Sequence, residues 1–381
     1  MGLSRDEIDG RGHPVWAEID LGAIRDNVRS LRDLAGGAEL MSVVKGYAYG
    51  HGNPQCARAM LEAGASRLGV ARVAEALHLR DAGIEAPIHV FTEPPYEAAV
   101  ALVEKELTAT VYTRRFAEIL SDAAIAAGRK VPVHVKFDTG MHRVGLPADE
   151  AVGAIGALRS LRGLEIEGAW SHFAVADVPD HPFTRKQLDV FMDLVGQLER
   201  SGISLRYRHI ANSAATLSFP DSHLDLVRCG VASYGLLPGA TTMPRGELRP
   251  ALSLRARVNM SKSVPAGEAL SYGLDYELAR TSRVVTVPVG YADGYDRGLS
   301  SRADVLINGK RFRVSGAVCM DQFMVDVGNE DVATGSIVTL IGADGEDKIS
   351  ADELAAHLDT INYEVTARIP SRVPRLYLEE S

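Results

Sequence analysis

The chain has 381 residues, 46% of them hydrophobic and 24% charged, with a net charge of −9. That balance describes a globular chain of about two or three domains with a sizeable core. The acidic surface excludes nucleic acid and an anionic membrane as natural partners. Cys56, Cys229 and Cys319 are odd in number and show no CxxC spacing. They fit neither a disulfide framework nor a structural zinc site, so no metal and a reducing cytoplasm are expected. The opening MGLSRDEIDGRGHP is polar and lacks the apolar core of a signal peptide. No apolar run approaches the roughly 18 residues of a membrane span.

In chain order, short apolar runs predict strands over 40–44, 67–71, 87–91, 108–112, 131–137, 164–169, 207–211 and 226–231. Helical periodicity lies between them, over 55–65, 73–81, 117–127 and 185–199. About eight strands, most followed by a helix, predict an α/β fold closed into an eight-stranded parallel (β/α)8 barrel. A doubly wound open sheet is the runner-up, weakened by the lack of GxGxxG after a strand. Beyond residue 244 the runs 252–264, 282–289, 304–307, 311–318 and 337–341 are short and β-branched, and only 351–358 reads as helix. This predicts a barrel over 13–244 and a mostly β C-terminal domain over 245–381, with MPRGELRP (residues 243–250) as the connection.

Polar groups collect at the carboxyl ends of the predicted strands, where barrel enzymes do their chemistry. SVVKGYAYGHG puts Lys45 at the end of the first strand with no carboxylate in the stretch. It is either a solvated strand tip or an amine kept for a Schiff base, whose nucleophile burial would free. Lys136 and Asp138 end the fifth strand, and His172 follows the sixth. Asn212 and Ser213 follow the seventh, and Arg228, Gly230 and Val231 lie on or after the eighth. The last two strand ends suit a phosphate, with Asn212 or Ser213 capping the next helix; a plain cap without a ligand is the bland alternative. An amine and a phosphate cradle in one mouth point to pyridoxal phosphate. Arg228, always protonated, would donate to the pyridine nitrogen and leave it unprotonated. That weakens electron withdrawal and favours return of a proton to the same carbon over transamination.

WAEIDLGAIRDNV, VVKGYAYGHG, KFDTGMHRVG, SHFAVAD, HIANSAAT, LVRCGVASYG, LSYGLDY, PVGYADGY, GAVCMDQFMVDVG and INYEVTARIPSRVPRLY follow one another over nearly the whole chain. In this order they closely resemble the bacterial alanine racemases, a family with a pyridoxal-phosphate barrel followed by a β domain. The resemblance implies that Lys45 carries the cofactor and is one catalytic base. Tyr272 is the other, serving the barrel of a partner in a homodimer with shared active sites. It implies that Tyr49, Ser213, Gly230, Val231 and Tyr363 hold the phosphate, with His172 and Arg228 against the ring. Arg143 and the Met320 backbone would take the carboxylate of a small amino acid, and Asp321 and Tyr291 would line the entrance contributed by the partner. Lys136 matches a lysine carbamylated in many members, its added charge pairing with Arg143. The implied role is D-alanine supply for the cell wall.

The family commonly has Lys-Ala-Asn-Ala-Tyr where this chain has Lys45-Gly46-Tyr47-Ala48-Tyr49. Tyr47 either reshapes the pocket or fills a packing gap. Two bases on opposite faces of a planar intermediate avoid moving one base around it, although a phenol ordinarily titrates near about 10 and needs help to act as a base. Alternative readings are a racemase preferring serine or another small amino acid, a barrel-type decarboxylase, and a cofactor-binding protein without turnover. Asp138-Thr139-Gly140 lacks the second carboxylate motif that an aspartic protease requires.

Overall fold

The computed structural model describes residues 4–10, 12–239 and 247–379. Its described residues divide into two compact units. One comprises Ala23–Ala48 and Asn53–Pro250; the other comprises the residues up to Gly22, Tyr49–Gly52 and those from Ala251 onward. The expected connection falls partly outside the described residues, which omit 243–246.

Every strand expected in the first unit forms. The eight are Glu39–Val43, Arg67–Val70, Ile88–Val90, Thr108–Val111, Val131–Asp138, Leu164–Trp170, Tyr207–His209 and Leu226–Cys229. All neighbours are parallel, in the order eighth, first, second and so on to the seventh. Asp225 N donates to Arg208 O (3.2 Å) and Arg228 N to Ala211 O (3.1 Å), so the seventh and eighth strands all but close the cylinder. Helices such as Gln55–Glu62, Val73–Asp81, Arg114–Ala126 and Pro182–Arg200 follow the strands, and all but Val73–Asp81 carry a clear apolar face.

The barrel interior is unusually polar. His89, His134 and His209, from the third, fifth and seventh strands, are fully buried, as barrel layers built from alternate strands allow. Gly168 makes room for them: a Cβ there would lie 2.9 Å from His134 Nδ1. His134 Nε2 is 3.0 Å from Glu167 Oε2, His134 Nδ1 is 2.7 Å from His209 Nε2, and His209 Nδ1 is 3.0 Å from an Arg228 terminal nitrogen. An arginine can only donate and a carboxylate only accept. One neutral arrangement satisfies both ends: Arg228 donates to His209, His209 to His134, and His134 to Glu167. These bonds occupy both ring nitrogens of His134 and of His209, and Arg67 and Arg228 add positive charge beside them.

The second unit is built from β-sheets. One sheet orders Lys310–Arg313, Asp304–Ile307, Ile337–Asp344, Leu252–Arg257, Val15–Asp20 and Arg375–Leu378. Val15–Asp20 pairs antiparallel with Leu252–Arg257 and parallel with Arg375–Leu378. The N-terminal strand therefore joins the β unit, a placement that the expected 13–244 barrel span did not separate. The expected 252–264 run breaks in two, and Met260–Val264 enters a second sheet with Ser282–Val287 and Phe323–Gly328. Asn362–Ala367 is a further helix where only 351–358 was expected to be helical. Arg375 anchors this unit: it is buried and donates to the carbonyls of Gly50 (2.6 Å) and Ile369 (2.7 Å).

Burial, as the first cause, holds His89, His134, His172 and His209 below the ordinary imidazole value of 6.5. The unfolded chain binds protons there that the folded barrel refuses. This contribution to stability is complete above pH 6.5 and is lost as pH falls below it. Each group contributes a slope of about 1.4 kcal/mol per pH unit. Between pH 7.5 and 5.5 the unfolding free energy should therefore fall, each group adding no more than that slope. Glu167, which the hydrogen bond from His134 and the nearby Arg67 hold at about 2 against its burial, adds its loss only in stronger acid. Urea unfolding at the two pH values measures the change, and an unchanged midpoint would mean that the column is protonated when folded.

Candidate active site

All eight barrel strands run the same way, so their carboxyl ends open on one mouth. The first strand ends at Val43, and the backbone then enters a left-handed turn. Gly46 (φ 62°), Tyr47 (56°), Ala48 (55°), Tyr49 (52°) and Gly50 (84°) all have positive φ. A left-handed residue with a Cβ is strained by roughly 1–2 kcal/mol, so Tyr47, Ala48 and Tyr49 together store about 3–6 kcal/mol. The two glycines adopt the shape freely. Hydrogen bonds offset the strain: Ala48 N donates to Val44 O (3.0 Å), Asn53 Nδ2 to Val44 O (3.1 Å), and Gly46 N to Glu75 Oε1 (2.7 Å). This backbone explains the glycines after Lys45, although their φ values were not foreseen.

Lys45 stands at the head of this turn. Burial first, and then the charges of Arg143 and Arg228, lower its pKa, while Glu75 opposes them. Lys136, from the fifth strand, is almost wholly buried. Its amine donates to Phe137 O (3.0 Å) and sits 4.7 Å over the Trp170 ring. Burial, with Arg228 nearby, brings it down to about 7. Asp138 accepts from Gly140 N (2.9 Å) and His142 N (3.0 Å). The DTG triplet is therefore a turn that shapes the loop leading to exposed Arg143.

Arg228, from the eighth strand, is buried and lies 4.9 Å from the same Trp170 ring centre. It donates to Ser171 O (2.9 Å), Ile210 O (3.0 Å), His172 Nδ1 (3.1 Å) and His209 Nδ1. Burial pulls it down to about 9, which leaves the guanidinium charged at neutral pH. His172, held neutral by burial and by Arg228, accepts from it. Asn212 caps the helix Ser213–Ser218 by accepting from Ala215 N (3.0 Å). Ser213 Oγ accepts from Gly230 N (2.9 Å) and Ala232 N (3.4 Å), which brings Ser213, Gly230 and Val231 together.

The remaining expected residues belong to the β unit. Tyr49 and Tyr363 lie with ring centres 6.0 Å apart. Tyr272 rides on the tip of a hairpin between Ala269–Leu270 and Tyr276–Glu277 and is 75% exposed. Tyr291 N donates to Cys319 O (3.1 Å) and Ala292 N to Met320 O (3.0 Å), so Tyr291 and Met320 are neighbours, both exposed. Asp321 and Asp293 share Arg372. Sequence reading missed His209, Glu167 and Glu75. Polar residues within the apolar strand runs were the signal for the first two. For Glu75 it was a glutamate three residues after Arg72 at a helix start.

The sequence profile of the alanine racemase N-terminal domain matches residues 19–238, and that of the alanine racemase C-terminal domain matches 251–377. The alanine racemase of Methanococcus maripaludis is 43% identical over 370 residues, 96% of this chain and 99% of its own. That of Desulfovibrio desulfuricans is 45% identical over 368 residues, 96% and 98% of the two chains. The crystal structure of alanine racemase from Streptomyces lavendulae superposes with a TM-score of 0.91 at 42% identity, covering 96% of this chain and 97% of that one. The histidine racemase of Leuconostoc mesenteroides subsp. sake superposes with a TM-score of 0.89 at 30% identity, covering 96% and 98%. With both domain profiles matched in order and similarity along almost its entire length, this chain belongs to the alanine racemase family.

Proposed function

We propose that the chain is an isomerase interconverting L- and D-alanine with pyridoxal phosphate, the cofactor of its family. The observation that carries the reading is Lys45, an amine of lowered pKa at a barrel mouth beside a buried arginine. The residues present fit the cofactor: an amine for its aldehyde, Ser213 with the Gly230–Val231 backbone for its phosphate, and a charged donor in Arg228 for its ring nitrogen. Tyr49 and Tyr363 keep the phosphate role the resemblance gives them, His172 lies by the ring, and Asn212 caps the helix that begins at Ser213. When bound, pyridoxal phosphate withdraws electrons and acidifies the α-hydrogen of an amino acid joined to it.

Arg228 keeps that withdrawal modest by donating a hydrogen bond rather than a proton. Arg143 and the Met320 backbone orient the substrate carboxylate, and Tyr291 and Asp321 narrow the entrance. Lys45 holds or returns the α-proton on one face. Tyr272 from a second copy does so on the other. The exposure of Tyr272 (75%), Leu274 (66%) and Met320 (54%) supports a homodimer, because exposed apolar side chains favour a covered surface. Lys136, at about 7, offers the neutral amine that carbamylation needs, and the carbamate would balance Arg143. The free cysteines and the lack, among the described helices, of one long and apolar enough to cross a membrane are consistent with a cytoplasmic enzyme that supplies D-alanine for the cell wall.

A second reading, preference for another small amino acid such as serine, draws on Tyr47 in the turn after Lys45 and on the histidine racemase that shares the fold. Steady-state rates with L-alanine and L-serine decide between them, and alanine should be the faster.

Purified enzyme should convert L-alanine to a racemic mixture. Lys45→Ala should abolish the absorption band of lysine-bound cofactor and lower the rate by at least about 10²–10⁴-fold. Tyr272→Phe should raise the α-deuterium isotope effect on kcat/KM for L-alanine and not for D-alanine. An equal rise from both enantiomers would contradict the assignment of faces.

A further inference from the structure

We propose that Glu75 is a positioning residue for Lys45, its carboxylate fixing the backbone turn from which the lysine projects. The proposal rests on the assignment of Lys45 to the reaction.

Glu75 is the third residue of the helix Val73–Asp81, which follows the second barrel strand. One carboxylate oxygen, Oε2, accepts from Ala71 N (2.9 Å) and Arg72 N (3.0 Å), the amides that lead into that helix. This half of the interaction is an ordinary cap, worth having in any helix. The other oxygen does something a cap has no use for. Oε1 reaches across to the first strand's loop and accepts from Gly46 N at 2.7 Å, 29 residues away in sequence. All three donors are backbone groups, so the contact fixes main-chain position rather than a mobile side chain. A charged acceptor also makes each of these bonds stronger than a neutral pair.

Gly46 is the first residue of the left-handed turn. The strand ladder ends just before it, where Val44 N donates to Gly69 O (2.8 Å). Between this last ladder bond and the strained turn, Lys45 has the Glu75–Gly46 bond as its near anchor on the C-terminal side. If the anchor is lost, the turn can relax toward right-handed backbone, and the lysine Cα–Cβ direction changes with it. Small displacements of a catalytic group are enough to impair transfer. The Glu75 charge also opposes the lowering of Lys45 by burial, so the same side chain sets both the place and part of the electrostatics of the amine.

A purely structural cap and a positioning residue predict different outcomes for Glu75→Ala. Hydrogen exchange measured on a peptide covering residues 44–50 of the purified protein should accelerate at least about tenfold, with a control peptide in the β unit unchanged. In the holoenzyme, the α-deuterium isotope effect on kcat/KM should rise for D-alanine, whose proton Lys45 would take, and not for L-alanine. Glu75→Gln keeps one accepting oxygen but turns an N–H group toward the other donors. It should shift both readouts in the same direction by less, and it serves if the alanine variant does not fold. Unchanged exchange in the 44–50 peptide overturns the proposal. Faster exchange with isotope effects equal for the two enantiomers also overturns it and leaves Glu75 as a helix cap. If the wild-type chain does not racemise alanine, the reading of Lys45 fails by itself, and the exchange result still decides whether Glu75 holds the turn.

Discussion

The barrel is organised around a buried positive charge. Arg228 is 3% exposed, and its described hydrogen-bond partners are two backbone carbonyls and two neutral imidazoles. A guanidinium in such a place is stable only if its donors are satisfied and its charge is answered within reach. The nearest carboxylate on its bonded path is Glu167, reached through His209 and His134. That path fixes the tautomer of each ring and requires both to stay neutral. It also explains the polar barrel core: His134, His209 and Glu167 are the support of one arginine, and Arg67 lies 3.4 Å from the same carboxylate.

The same charge sets the chemistry of the mouth. Arg228 lowers the pKa values of Lys45, Lys136 and His172. An environment that lowers the pKa values of amines and imidazoles while keeping a guanidinium charged favours anionic ligands and nucleophilic lysines together. Trp170 carries much of the remaining load, since its ring lies beneath both Arg228 and Lys136 and stacks on His209 with an interplanar angle of 2°. Cation–π contact gives the two cations a neighbour that does not need to be charged.

Much of this was legible in the residues. The eight barrel strands lie within a few residues of their apolar runs, because a strand buried on both sides is mostly apolar. The collection of Lys45, Lys136, His172, Ser213 and Arg228 at one mouth follows from parallel direction alone. Long-range pairing was not legible. Val15–Asp20 is an ordinary short strand until Arg375–Leu378, at the far end of the chain, supplies its partner. The Glu167–His134–His209 chain is hidden for the same reason: each residue looks like an isolated polar defect in a strand, and only closure of the barrel brings the three together. Tyr272 carries no local sign of catalysis. Its hairpin tip is exposed, and its role rests on family resemblance.

Two lysines lie near the mouth, and geometry separates their uses. Lys136 is nearly inaccessible, tied to Phe137 O and pressed over Trp170, so its amine can take up a small group such as carbon dioxide but cannot follow a substrate. Lys45 is only half-buried and projects from backbone held in a strained left-handed turn. Strain of this kind persists where the surrounding contacts over-determine it. Here the contacts are the ladder bond at Val44, the Asn53 side chain and the Glu75 carboxylate. A relaxed right-handed helix would direct the same lysine elsewhere. In the proposed reaction the turn separates Lys45 from a strand tip that happens to be basic, and KGYAYG, with glycine at both ends of the left-handed stretch, is the sequence that permits such a turn.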